Sequence, residues 1–178
     1  VLAAGSMALG DVHQDSDFDV IIGARRGRLY TARFFCLAWY KLLRWRRTGR
    51  RTADGFCFNH FVTKASYQLQ PPYNLYWQEL YRQLAPVYGA TAVIERFFVA
   101  NEKWLKGPTV WRADLRYRYP SPSPIAVGLE LLLAGRGGDW VERRCKRFQQ
   151  RKIVQNFKRF PPGYKPRLAI NDEEVELH

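Results

Sequence analysis

Acidic residues are scarce in this chain. Its 178 residues hold 16 Asp and Glu against 29 Lys and Arg, a formal net charge of +13. That imbalance points to a polyanionic partner, nucleic acid or nucleotide ahead of an anionic membrane surface. Cysteine is scarce too. Cys36, Cys57 and Cys145 are widely spaced and form no CxxC. This excludes a disulfide framework and a structural zinc site built on cysteine pairs, and predicts a reducing, cytoplasmic compartment. On its apolar segment Cys57 reads as a small core residue. Long hydrophobic runs are missing. The longest, "IAVGLELLLAG" from Ile125 to Gly135, carries Glu130 and is about half the ~20 residues a spanning helix needs, so no membrane partner is expected. The first residues also lack the basic-then-apolar pattern of a secretory signal. The chain opens on Val1 within what reads as the end of a strand, so we expect a fragment whose first helix and most of whose first strand lie upstream.

What is present is the composition of a folded domain. Hydrophobic residues make up 47% and aromatics 15%, enough to fill a core and too much for a disordered chain. The length suits one domain, or a small domain with an appendage.

Along the chain, "VLAA" (Val1 to Ala4) reads as a strand end that Gly5-Ser6 breaks. "SMALGD" predicts a short helix with Ser6 as its N-cap. In "DFDVIIGA", Phe18, Val20 and Ile22 alternate with Asp17, Asp19 and Ile21. Period two predicts a strand with both aspartates on one face. From Arg28 to Arg47, Leu29, Ala32, Phe35, Cys36, Trp39, Leu42 and Leu43 recur at three and four spacing, which predicts a helix buried along that stripe. "FCFNHFVT" (Phe56 to Thr63) is short and rich in aromatic and β-branched residues, a second strand. After the prolines of "QLQPPYN" the character changes. "LYWQELYRQLAPVYG" and "TAVIERFFVANEKWLKG" predict helices. "YPSPSP" predicts an extended linker. The stretch from Ile125 to Phe160 predicts one or two helices broken near Gly135 to Gly138, with Asp139 capping the second. An acidic tail, "NDEEVELH", follows. The expected organisation is an α/β core over 1–72 and a mostly helical region over 73–178.

The chemistry concentrates in "GSMALGDVHQDSDFDV". Residues i and i+2 of a strand point the same way, about 6.5–7 Å apart along the chain. Two carboxylates so placed repel unless a cation sits before them, and oxygen ligands suit Mg²⁺ or Mn²⁺. Gly5 lets backbone approach a ligand closely, and Ser6 with nearby amides can hold a phosphate. A metal platform opposite phosphate donors is what nucleotidyl transfer from a nucleoside triphosphate requires. A bare DxD is also found on solvated strands; the Gly-Ser turn, "ALGD", Ser16 and the apolar "VII" narrow the choice.

With those residues, "GSMALGDVHQDSDFDVII" resembles the signature of the DNA polymerase β-type nucleotidyltransferase superfamily, over about a tenth of the chain. More loosely, "GFCFNHFVT", "ANEKWLK" and the basic helix after Gly138 resemble stand-alone bacterial nucleotidyltransferase-domain proteins. The resemblance implies an α/β (α+β) nucleotidyltransferase core with a mixed β-sheet. It implies that Gly5 and Ser6 contact the triphosphate and that Asp17 and Asp19 hold the divalent metals. It also implies a third carboxylate on a later strand, the general base for the acceptor hydroxyl. "FCFNHFVT" has no acid. Regular alternation puts Cys57 and Asn59 on one face and His60 on the other. Three readings stay open: Asp54 just before the strand or the more distant Glu79 substitutes, catalysis is weakened, or this strand is not the family's counterpart.

Two basic stretches complete the expectations. "RWRRTGRR" (Arg44 to Arg51) exceeds what helix capping needs. Along 143–159, Arg143, Lys146, Arg147 and Gln150 share a face, interleaved with Phe148 and Phe157 and followed by Phe160. These phenylalanines read first as the core side of an amphipathic helix and second as stacking groups for bases. Either basic face is a candidate surface for RNA or tRNA. The exposed-loop His13 reads as solvated, and Tyr76, Leu80 and Leu84 read as core. The expected function is transfer of a nucleoside monophosphate from an NTP to a hydroxyl, on RNA, protein or a small molecule, with release of pyrophosphate. The alternatives are a catalytically weak nucleotide- or RNA-binding module and an antitoxin-type interaction protein.

Overall fold

The computed structural model describes residues 1–14, 16–45, 55–105, 123–157 and 167–177, the side chains of Met7, Asn59 and Phe157 aside. These residues form a mixed α/β fold around one six-stranded sheet. Its strands are β1 (Leu2–Ala3), β2 (Phe18–Gly23), β3 (Phe56–Val62), β4 (Ala85–Pro86), β5 (Leu168–Ile170) and β6 (Glu174–Leu177), in the order β4-β1-β2-β3-β6-β5. β2 and β3 run parallel and all other neighbours antiparallel, so the sheet is mixed, as the resemblance implies. The helices are α1 (Gly5–Leu9), α2 (Leu29–Leu42), α3 (Leu75–Gln83), α4 (Thr91–Asn101), α5 (Pro124–Leu132) and α6 (Gly135–Phe157).

Alternation along β2 assigns its side chains to two cores. Val20 and Ile22 pack with Leu29, Tyr30, Phe58, Phe61 and Ile153, on the side of α2 and α6. Ile21 packs with Trp77, Leu80, Tyr81 and Phe97, on the side of α3 and α4. Burying one such side chain stabilises the fold by about 1.5–3 kcal/mol. The α3 side is also the side of Asp19, so the helices over that core wall the site.

β3 departs from the expected alternation. Asp19 pairs with Cys57, but Ile21 pairs with His60. Two steps on β2 thus match three on β3, a one-residue bulge. Phe58 and Phe61 therefore share one core, and His60 joins the face of Cys57 instead of opposing it.

α2 is shorter than expected, ending at Leu42, and Arg44 then turns left-handed at φ 60°. Its buried residues are Leu29, Tyr30, Thr31 and Arg33, while Phe35, Trp39 and Leu42 are exposed. The reason is a polar seam with α6. Arg33 Nη1 donates to Gln149 Oε1 (2.7 Å), and Gln149 Nε2 donates to the Tyr30 carbonyl (2.6 Å). Arg28, at the N-cap position of α2, makes no side-chain cap. Glu142 supplies one from α6 instead, accepting from the amides of Tyr30 (2.9 Å) and Thr31 (2.8 Å) and from Thr31 Oγ1 (2.6 Å). A carboxylate there satisfies orphan donors and meets the positive helix end. Glu142→Ala is expected to lower unfolding stability by about 1–3 kcal/mol in urea titration, and a shift near zero would remove Glu142 from this role. Asp139 does not cap α6, which already begins at Gly135; it pairs with Arg28 at 2.8 Å.

The stretch after residue 72 supplies strands as well as helices. Asn171 Oδ1 accepts from the amides of Glu173 and Glu174, both at 2.8 Å, and so builds the β5–β6 turn. β6 then lies against β3, with His60 opposite Glu176 and Val62 opposite Glu174. The available signal was the Asn171-Asp172 turn followed by Val175 alternating with Glu174 and Glu176.

Asn101 locks the loop before α3 onto α4. It is fully buried. Its Oδ1 accepts from the Leu69 amide and Trp104 Nε1, both 2.9 Å away. Its Nδ2 donates to the carbonyls of Tyr67 (2.7 Å) and Phe97 (2.8 Å).

Candidate functional site

β1 leads into Gly5, the first residue of α1, at φ +66°. The Ala4 amide donates to the Asp19 carbonyl at 2.9 Å, tying this turn to β2. A Cβ at Gly5 would lie 2.9 Å from Asp19 Cβ and Cγ and closer still to Oδ2. The backbone therefore rests directly on the Asp19 carboxylate, which only glycine allows in this conformation. Ser6 falls within α1, not at its N-cap, and its carbonyl accepts from the Asp11 amide at 3.0 Å. In the loop that follows, Ser16 Oγ accepts from the His13 amide at 2.8 Å. His13 pairs with Asp11 in the open, 2.9 Å apart, which fits the solvated reading and contributes little stability.

Asp17 and Asp19 come together as the period-two pattern predicted, and a third side chain joins them. One carboxylate oxygen of each and Cys57 Sγ all lie within 4.8 Å of one another. Both aspartates are half-buried and Cys57 is buried. Cys57 is among the buried core residues, as expected, although it lies outside the two larger apolar clusters. It faces a small cleft lined by Gly5, Asp19, Cys57, His60, Tyr76 and Trp77, with Ala4 and Leu80 among its other walls.

Tyr76 stands on the helical wall and is 54% exposed. Leu80 and Leu84 are core, as expected; Tyr76 is not. Burial first, then the negative charges of Asp19 and Asp17, raise its phenol above the usual range. It is therefore within electrostatic reach of both carboxylates.

His60 is 2% exposed, and its Nε2 lies 2.9 Å from Glu174 Oε1 on β6. Glu176, two residues along, takes Arg167 Nε on both oxygens at 2.7 Å. Arg167 in turn lies over the Trp77 ring, 5.3 Å from its centroid. Burial, with the charges of Glu176 and Glu174, pushes the Tyr81 phenol well above its ordinary value. Glu174 and Glu176 were missed at the sequence level because an acidic tail reads as solvated.

The substitutes expected for a third carboxylate fare differently. Asp54 lies outside the described residues. Glu79 is held on α3 by Arg82 and Gln83, each at 3.0 Å, and does not line the cleft. Of the basic faces, Arg46 to Arg51 and Lys158 onward lie outside the described residues. On α6, Arg143 and Arg147 are exposed. Lys146 is paired with Asp172. Phe148 is 56% exposed beneath Lys152 and edge-on to Phe34, so it is not a core residue. No helix among the described residues is long and apolar enough to cross a membrane.

A divalent cation fits the site on two counts. Two carboxylates and a thiol converge from the start of β2 and from β3, and the absence of a Cβ at Gly5 gives the Asp19 carboxylate room to sit there. Compared with known proteins, the chain matches no family model, no curated protein and no solved structure.

Proposed function

We propose that this chain is a metal-dependent nucleotidyltransferase, moving a nucleoside monophosphate from an NTP to a hydroxyl acceptor with release of pyrophosphate. The observation that carries this reading is the convergence of the Gly5 turn on Asp19, at the wall of a cleft, with the Asp17 carboxylate beside it. On this reading Asp17 and Asp19 hold Mg²⁺ or Mn²⁺, and Gly5 and Ser6 contact the triphosphate. A divalent metal bound there supplies charge stabilisation for the attacking and leaving oxygens. The chain's own residues orient the reactants. The acceptor oxygen bonds to the α-phosphorus as the bond to the pyrophosphate oxygen breaks. His60, held by Glu174, takes the proton that the hydroxyl loses, the role a carboxylate base would otherwise have. Tyr76 offers an exposed ring beside the aspartates on which a base can stack. The exposed arginines of α6 suit an RNA acceptor.

The test uses the 178-residue chain with labelled NTPs, Mg²⁺ and total RNA, beside an Asp17→Asn, Asp19→Asn double variant. Label transfer is expected to fall at least about a hundredfold in the variant, since losing metal ligands costs more than the 10–100-fold typical of their supporting residues. Transfer that survives both changes sinks the metal assignment. One observation favours a second reading: β3 carries Cys57 opposite Asp19 and no acid. A wild-type chain that binds NTP or RNA and transfers nothing would then be a nucleotide- or RNA-binding module, or an antitoxin-type interaction protein.

A further inference from the structure

We infer that Cys57 is a ligand of the Asp17–Asp19 metal site and makes that site prefer a thiophilic divalent cation, such as Zn²⁺, over Mg²⁺. The inference rests on the metal assignment just proposed and adds a ligand and a metal preference to it. Four observations carry it. Cys57 is the direct register partner of Asp19 on the parallel neighbour strand. Its sulfur and one oxygen of each aspartate lie within 4.8 Å of one another. It lines the same cleft as Gly5 and Asp19. And it is only 6% exposed, so its sulfur is held in place beside the two carboxylates.

The chemistry follows from ligand type. Mg²⁺ demands near-octahedral oxygen ligands and keeps much of its water. A thiolate is soft and selects Zn²⁺ and related ions; two oxygens and one sulfur leave a tetrahedral ion one open position for water or a phosphate oxygen. On binding, the Cys57 S–H bond breaks, a metal–sulfur bond forms and the proton passes to solvent. The other two cysteines are built differently. Cys36 and Cys145 pack against the α2–α6 core, and burial pushes both thiols up in pKa. They therefore act as internal controls.

Co²⁺ is the probe, because thiolate coordination gives a sulfur-to-cobalt charge-transfer absorption in the near ultraviolet that oxygen ligands do not give. The full chain is titrated with CoCl₂ as wild type, Cys57→Ser, Cys57→Asp and the Asp17→Asn, Asp19→Asn double variant, each checked for native circular dichroism. The expected result is a charge-transfer band in the wild type, lost in Cys57→Ser and also in the double aspartate variant, which keeps all three cysteines. Cd²⁺ should displace Co²⁺ at far lower concentration than Mg²⁺ does, and Cys57→Asp should narrow that gap by about tenfold or more as a hard ligand replaces a soft one. Saturable Co²⁺ binding that needs the aspartates but shows no sulfur band would overturn the inference and leave the two-aspartate site standing. A band that persists in Cys57→Ser also overturns it. Absence of any Co²⁺ binding removes both the inference and the metal assignment beneath it.

Discussion

Gly5→Ala is expected to weaken metal binding and nucleotidyl transfer together, each by about a hundredfold. The new Cβ would meet Asp19 Cβ and Cγ at 2.9 Å, a contact that real side chains do not sustain. It would do so at φ +66°, where an L-residue with a Cβ costs about 1–2 kcal/mol. The overlap can be relieved only by moving the Asp19 carboxylate or the turn that the Ala4 amide ties to β2. Either movement separates Asp19 from Asp17 and Cys57. Cobalt affinity should fall about a hundredfold, on the scale of losing a ligand. The fold has less at stake, because Gly5 opens a helix of only five residues. The urea midpoint should drop modestly, by a free energy of about 1–3 kcal/mol. A Gly5→Ala variant with unchanged cobalt affinity would show that Gly5 does not hold Asp19 in place.

The second large effect is on stability. Asn101→Ala is expected to cost about 3–5 kcal/mol, read from urea unfolding. Asn101 uses both donors and both acceptor positions of its amide, and it is fully buried. Removing it strands the Leu69 amide, the Tyr67 carbonyl and Trp104 Nε1 away from water, each worth about 1–3 kcal/mol when unsatisfied. The loss detaches the segment ahead of α3, and α3 carries Tyr76 and Trp77 into the cleft. The variant should therefore also loosen the helical wall of the site, visible as a shift in Trp104 emission before global unfolding. A loss below about 1 kcal/mol would mean that water enters and replaces the amide.

Local pattern made some of this legible. β2 could be read because Val20 and Ile22 alternate with Asp19 and Ile21, and both sets have a core or cleft to face. α3 and α4 could be read because Trp77, Leu80, Tyr81, Ile94, Phe97 and Phe98 recur at helical spacing and are buried. Other features depend on partners far away in sequence. The β3 bulge is set by pairing with β2, and nothing inside "FCFNHFVT" signals the extra residue that turns His60 toward Cys57. The α2 stripe was misread because α6 meets the helix with Glu142 and Gln149, so polar Thr31 and Arg33 are buried while Trp39 is left outside. Glu174 and Glu176 were missed for the same kind of reason. Carboxylates are buried only when paired, and their partners, His60 and Arg167, become visible only once the strands are assembled.

The place of β6 beside β3 has a consequence in time. His60 and Glu174 are 114 residues apart, and closing a loop of that length is among the slower steps in assembling a sheet. During synthesis β2, β3 and the Asp17–Asp19–Cys57 wall emerge well before Glu174–Leu177 does. Until that segment arrives, the outer edge of β3 is an open strand edge, ready to pair with another chain. The wall that gathers Asp17, Asp19 and Cys57 can thus form early, while the strand that orients His60 is added last. A nascent chain would hold those three side chains together before it holds His60 against Glu174.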